Sequence, residues 1–135
     1  MTTKPDMFCF QCEETARGEG CTVKGMCGKP AEVANLQDLL IYILKGISLC
    51  TTDTAERTSD IDDFVAARLF STITNANFDR DYFLEKIREA LEIRDELKEK
   101  HDIQSEHDAV IWTPDSDDDI QRKARQVGVL TTSIF

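Results

Sequence analysis

Four of the five cysteines fall between residues 9 and 27, in the pattern Cys9-x2-Cys12-x8-Cys21-x5-Cys27. Gly18, Gly20, Gly25 and Gly28, four of the six glycines, lie among or beside them. Thiolates at such spacing hold metal or pair with one another, and three chemistries are open. A disulfide framework suits small secreted domains, yet no apolar stretch of a secretory leader precedes Phe8, and the hundred residues after this segment carry only Cys50. A structural zinc site usually pairs two C-x2-C elements, often with histidine, and no histidine is near. One C-x2-C leading a glycine-rich segment best suits an iron–sulfur cubane wrapped by a single loop.

The cubane reading makes demands on the flanking residues. Four thiolates around a cubane make a large anion, so the loop must curl and turn backbone N–H groups toward sulfur, a conformation that glycines at positive φ allow. Lys24 and Lys29 are positioned to offset the charge, and Phe8, Phe10, Val23 and Met26 to exclude water. Charge sets the segment apart as well. Residues 1–30 balance Lys4, Arg17, Lys24 and Lys29 against Asp6, Glu13, Glu14 and Glu19, so the whole net charge of −10, from 26 acidic and 16 basic residues, lies in residues 31–135. That excess excludes a nucleic-acid or anionic-membrane binder, which needs a dense basic surface.

The elements that must position the loop read as helices. After Pro30, a favourable first helical residue, Val33, Leu36, Leu40, Ile43, Leu44 and Ile47 recur at three- and four-residue spacing. Ser59 with Asp62 opens a second helix whose apolar face is Phe64, Val65, Leu69 and Ile73. Residues 75–79 form a turn, and Asp79 caps a third helix to about Lys100, with Phe83, Ile87, Leu91 and Leu97 inward and Glu85, Glu89, Glu92 and Lys98 on a solvated face. A last helix starts near Asp115, where Asp115, Asp117 and Asp118 suit the positive helix end, and stops before Gly128. The longest apolar run, residues 39–44, is far shorter than the roughly 20 residues that cross a bilayer, so no membrane span and a cytoplasmic location are expected. Cys50, at the end of the first helical pattern, reads as a small packed thiol.

At the level of whole stretches the chain resembles the hybrid cluster protein family, also called prismane protein or hydroxylamine reductase. The resemblance lies in Phe8-Cys-Phe-Gln-Cys-Glu-Glu-Thr15, Gly20-Cys-Thr-Val-Lys-Gly-Met-Cys-Gly-Lys-Pro30, Ala34-Asn-Leu-Gln-Asp-Leu-Leu-Ile-Tyr-Ile-Leu-Lys-Gly-Ile47, Phe70-Ser-Thr-Ile-Thr-Asn-Ala-Asn-Phe78 and Trp112-Thr-Pro-Asp-Ser116. It implies that Cys9, Cys12, Cys21 and Cys27 each ligate one iron of a [4Fe–4S] cluster. It further implies an all-α helical bundle carrying an N-terminal cysteine-rich loop: residues 1–30 the loop, 31–130 about the first half of the family's N-terminal domain, 131–135 a divergent tail. In that family a hybrid iron–sulfur–oxygen cluster, held by His, Glu and Cys from later in a much longer chain, reduces hydroxylamine to ammonia and water, and nitric oxide has also been proposed as substrate. No second set of such ligands can be assembled here, since the only Cys and His after the motif are Cys50, His101 and His107. The expectation is therefore a truncated form or fragment with no catalytic residue of its own, transferring electrons from a redox partner protein and self-associating through uncovered apolar surface. A stand-alone ferredoxin-like carrier and a zinc-stabilised binding module are the alternatives.

Overall fold

In a computed structural model of the chain, the structure describes Asp6, Met7, Cys9 and residues 21–25, 27–52, 59–73 and 79–133, with backbone alone for residues 73 and 128–133. Those residues form five helices and no strand: α1 Ala31–Thr52, α2 Ser59–Ile73, α3 Arg80–His101, α4 Asp108–Ile111 and α5 Asp117–Ser133. The all-α expectation is met.

α1 is the central element. It begins directly after Pro30, whose carbonyl accepts the Ala34 N–H at 3.0 Å. Leu36, Leu39, Leu40, Ile43 and Ile47 form one apolar stripe along the helix and all are fully enclosed. Such a face needs neighbours along its whole length. α3, α4 and α5 supply them, with Phe83, Ile87, Leu91 and Leu97 from α3, Val110 from α4, and Ile120, Ala124 and Val127 from α5. By length and composition alone α1 would cross a bilayer, but 67% of its apolar window is buried inside the bundle, as in the core helix of a globular domain.

Local chemistry sets most helix ends. Asp79 caps α3 by accepting the Asp81 N–H at 3.0 Å. Asp102, in the left-handed region at φ 48°, ends it, and the Ile103 N–H closes on the Lys98 carbonyl at 3.0 Å. At α5 the acidic run does what a helix start asks: Ser116 Oγ accepts the Asp119 N–H and Asp119 Oδ2 accepts the Asp115 N–H. The other end of α5 departs from expectation. Gly128 lies inside the helix, which runs on to Ser133, and among the described glycines only Gly28 has positive φ. A glycine ends a helix by turning left-handed, and Gly128 keeps helical geometry at only about 1 kcal/mol of propensity cost.

α2 also differs from its reading. Among its described side chains no large apolar one is fully buried; Ile61, Phe64 and Val65 rest half-buried against the core, whereas Leu69 is 40% and Phe70 65% exposed, and the Ile73 side chain lies outside the described residues. A groove of about 630 Å³, lined by Ile47, Thr51, Ile61, Val65 and Leu69 among others, separates α2 from α1.

Two polar ties fasten the remaining helices. Asp108 Oδ2 accepts hydrogen bonds from Tyr42 Oη (2.8 Å) and Lys123 Nζ, joining α1, α4 and α5. Burial and the bond to Asp108 push the Tyr42 phenol up to about 12. Fully enclosed Arg94 donates to the Ala109 carbonyl at 3.2 Å and to Asp95 Oδ1 at 3.0 and 2.9 Å. Here α1 and α4 touch through backbone, because a Cβ on Gly46 would fall onto the Ala109 carbonyl. Gly46→Ala is therefore expected to lower stability by about 3 kcal/mol, the upper end for overpacking, because a backbone carbonyl cannot rotate away. Urea unfolding midpoints of the two proteins measure it, and an unchanged midpoint would show that α4 is free to shift.

Candidate metal centre

Cys9 and Cys21 face each other. The Cys9 N–H donates to the Cys21 carbonyl at 3.0 Å and the Cys21 N–H to the Cys9 carbonyl at 2.8 Å. Residues exchanging both bonds lie about 5.5 Å apart at Cα with their side chains on one face, so this pairing sets two thiols side by side. It is extended toward the N-terminus by the Asp6 and Met7 N–H groups, which both donate to the Thr22 carbonyl, at 3.1 and 3.2 Å. Cys27 stands on a tight turn made by Gly28 N–H to the Gly25 carbonyl and Gly25 N–H to the Lys29 carbonyl, each 2.9 Å. Gly28 has φ 96°, as the cubane reading asks of a loop glycine. Gly25 is needed for a different reason: a Cβ there would lie 3.2 Å from Cys27 Sγ and 3.0 Å from Lys29 Cβ. Cys12, Gly18 and Gly20 lie outside the described residues.

The expected shielding is only partly where the sequence suggested it. Val23 is 70% exposed and excludes no water, because the pairing with residues 6–9 turns it outward. Phe8, Phe10 and Met26 lie outside the described residues. Fully buried Met7 does shield the site, packed with Cys21 and Ala34 and flanked by Cys9 and Ala31. The two lysines part company as well. Lys24 is exposed, whereas Lys29 is only 1% exposed and its Nζ donates to Cys9 Sγ at 3.9 Å.

The first turns of α1 hold this loop from beneath, through residues that no spacing argument singled out. Asn35, buried in an apolar helix, donates from Nδ2 to the Asp6 carbonyl at 2.8 Å. Its Oδ1, Gln37 Nε2 and Asp38 Oδ2 are buried without a hydrogen-bond partner. A polar triplet at the start of an otherwise apolar helix is the signal that could have found them. Burial pushes the Asp38 carboxyl up to about 7, with the Lys29 charge working against it.

The donor set was tested against the chemistries left open. None of the described cysteines is disulfide-bonded. Among the described residues no group of three His, Cys, Asp or Glu could hold one metal ion. A cubane does not ask for such a group: each thiolate takes a different iron, so the ligands surround a body several ångströms across. Cys9 beside Cys21, with Cys27 beyond the Gly25 turn, is a dispersed arrangement of that kind, and these three described cysteines fit it. The other candidates are engaged elsewhere. His107 Nδ1 caps α4 by accepting the Ala109 N–H at 3.1 Å, and His101 closes α3. Cys50 is fully buried and its thiol is raised by that burial; α1's rise puts it about 28 Å along the helix from Ala31.

Residues 7–132 match the Prismane/CO dehydrogenase family. The chain belongs to that family. Its relatives include proteins named hydroxylamine reductase from Desulfitobacterium hafniense strain Y51 (51% identical over 137 residues), Thermoanaerobacter pseudethanolicus (48% over 134) and Clostridium novyi (44% over 135). Each alignment covers 93% of this chain, and the chain spans about a quarter of each relative's length, 24–25%.

The enclosed Asp38 gives the loop's support a pH dependence. A carboxyl whose folded pKa is about 7 against 3.8 unfolded is no burden below pH 4, where both states hold the proton. The burden grows between pH 4 and 7, where the unfolded chain releases this proton and the native state keeps it, and levels off above pH 7. Asp38→Asn, which mimics the protonated acid, should match the wild type in urea midpoint at pH 4 and exceed it by up to about 4 kcal/mol at pH 8. Equal midpoints at both pH values would show that Asp38 is solvated.

Proposed function

We propose that the chain holds a [4Fe–4S] cluster through Cys9, Cys12, Cys21 and Cys27 and serves as the electron-transfer module of a hydroxylamine reductase. On this reading a redox partner protein supplies the electrons, and reduction of hydroxylamine to ammonia and water belongs to the remainder of the relatives' length. The observation that carries the reading is the Cys9–Cys21 pairing with a buried ammonium against Cys9 Sγ. A cation in that position offsets the negative charge that four thiolates bring to one loop. The names of the relatives support the same direction.

When bound, such a cluster supplies a one-electron carrier. The chain's own residues do the rest. Cys9 and Cys21 are held in register by main-chain bonds, so each presents its sulfur without rearrangement. Gly25 and Gly28 bring Cys27 round to the same loop. Met7 and Ala34 keep water from one side, and Asn35 ties the segment before Cys9 to α1. With four protein thiolates and four irons no coordination position is left over for a substrate nitrogen, and electron transfer needs none. Free thiols also suit a reducing compartment, and the cytoplasm is the location that goes with this function.

Replacing Cys9, Cys12, Cys21 or Cys27 by Ser, one at a time, should remove most of the iron and sulfide taken up on anaerobic reconstitution. Cys50→Ser should leave both unchanged. Loss of the metal in Cys50→Ser alone would overturn the ligand assignment, and stoichiometric zinc with no sulfide would favour the zinc module. The reconstituted 135-residue chain should accept an electron from dithionite and yield no ammonia from hydroxylamine above that of the quadruple Cys→Ser chain. Sustained ammonia production would mean that an iron in this loop is open.

A further inference from the structure

Among the described side chains of the loop, Lys29 has a chemistry that ligation does not use and a placement that is costly. Lysine is almost never fully enclosed unless a charge or a strong acceptor compensates it, yet Lys29 is 1% exposed. Its backbone is fixed on both sides: its carbonyl receives the Gly25 N–H at 2.9 Å, its Cβ lies against Gly25, and Pro30 and α1 follow at once. The stem therefore points inward as a consequence of the turn, and its Nζ reaches Cys9 Sγ at 3.9 Å, within range for an N–H donor to sulfur. Lys24, five residues earlier in the same loop, is exposed to solvent. Two lysines flanking one motif thus have opposite environments.

We propose that Lys29 is a positioning residue for redox tuning: its buried ammonium, donating to Cys9 Sγ, raises the reduction potential of the bound cluster. The proposal rests on the [4Fe–4S] reading above. A cubane with four thiolates carries two negative charges in its oxidised form, and three after taking one electron. A fixed positive charge beside one thiolate stabilises the more negative form, and burial keeps solvent and salt from screening it. In the step concerned, the sulfur dioxide radical anion of dithionite gives one electron and becomes sulfur dioxide, and [4Fe–4S]2+ becomes [4Fe–4S]+. No bond to the protein forms or breaks and no proton moves.

The test is a redox titration followed by electron paramagnetic resonance on the reconstituted chain, with Lys29→Met, Lys29→Gln, Lys29→Arg and Lys24→Met beside the wild type, each first assayed for iron and sulfide. Lys29→Met should lower the reduced-to-oxidised ratio at a given potential about tenfold, a shift of about 59 mV for one electron. Lys29→Gln should shift in the same direction, Lys29→Arg should stay near the wild type, and Lys24→Met should not move, its exposed charge being screened. A neutral side chain that merely loosened the loop would lower cluster occupancy without moving the potential of the clusters that remain. Wild-type potentials in both Lys29→Met and Lys29→Gln, with four irons and four sulfides per chain, would overturn the proposal and leave the cluster reading intact. Should Lys29→Met take up no cluster, Lys29→Gln against Lys29→Arg decides. A wild-type chain that binds no iron would overturn the cluster reading itself.

Discussion

Everything in this molecule is arranged around the apolar face of α1. Leu36, Leu39, Leu40, Ile43 and Ile47 line that face and all are enclosed, so the helix is stable only when α3, α4 and α5 cover it, while Lys45, Ser48 and Leu49 stay exposed. At roughly 2 kcal/mol per buried aliphatic side chain, those five residues alone contribute on the order of 10 kcal/mol, before the entropy of ordering is set against them. The described part of the cysteine segment is tied to this packing. Among the described residues it has little core of its own, Met7, Cys21 and Ala34 making a cluster of three buried residues. Cys27, Lys29 and Pro30 lead directly into α1, and Asn35 reaches back from the helix to Asp6.

The unsatisfied polar atoms lie at the start of the same helix. Asn35, Gln37 and Asp38 occupy the first turns of α1, where Asn35 reaches Asp6 and the Lys29 charge acts on Asp38. Elsewhere on α1 a buried carboxyl or amide without a partner would cost more than packing returns. At the start of the helix, burial pushes the Asp38 carboxyl up to about 7, so the proton is only partly released there at neutral pH.

Much of this was legible in the sequence, for identifiable reasons. α1 and α3 were found with their ends, because Pro30 and Asp79 act through local chemistry that needs no knowledge of the fold. The cysteine spacing pointed to one loop, and the structure pairs Cys9 with Cys21 and puts Cys27 on the Gly25 turn, while Cys12 lies outside the described residues. α2 was legible as a helix but not in its burial: the amphipathic pattern of Phe64, Val65 and Leu69 says which face is apolar, and Leu69 and Phe70 show that an apolar face need not be covered. Four-residue α4 is too short to leave a period, and Gly128 carries a stop signal that only backbone geometry could refuse. Lys24 and Lys29 look identical in sequence; the difference between a solvated and an enclosed ammonium is made by a turn, which spacing does not encode.

The central claim is that one loop, braced on α1, gathers four thiolates around a cluster of irons. X-ray absorption at the iron and zinc edges of the purified chain addresses it most directly. A four-thiolate cubane requires iron surrounded by sulfur in the first shell and by further iron in the second. That pair of shells, with zinc below stoichiometry, is the predicted result. A zinc edge at one atom per chain with a sulfur shell and nothing beyond it would contradict the account.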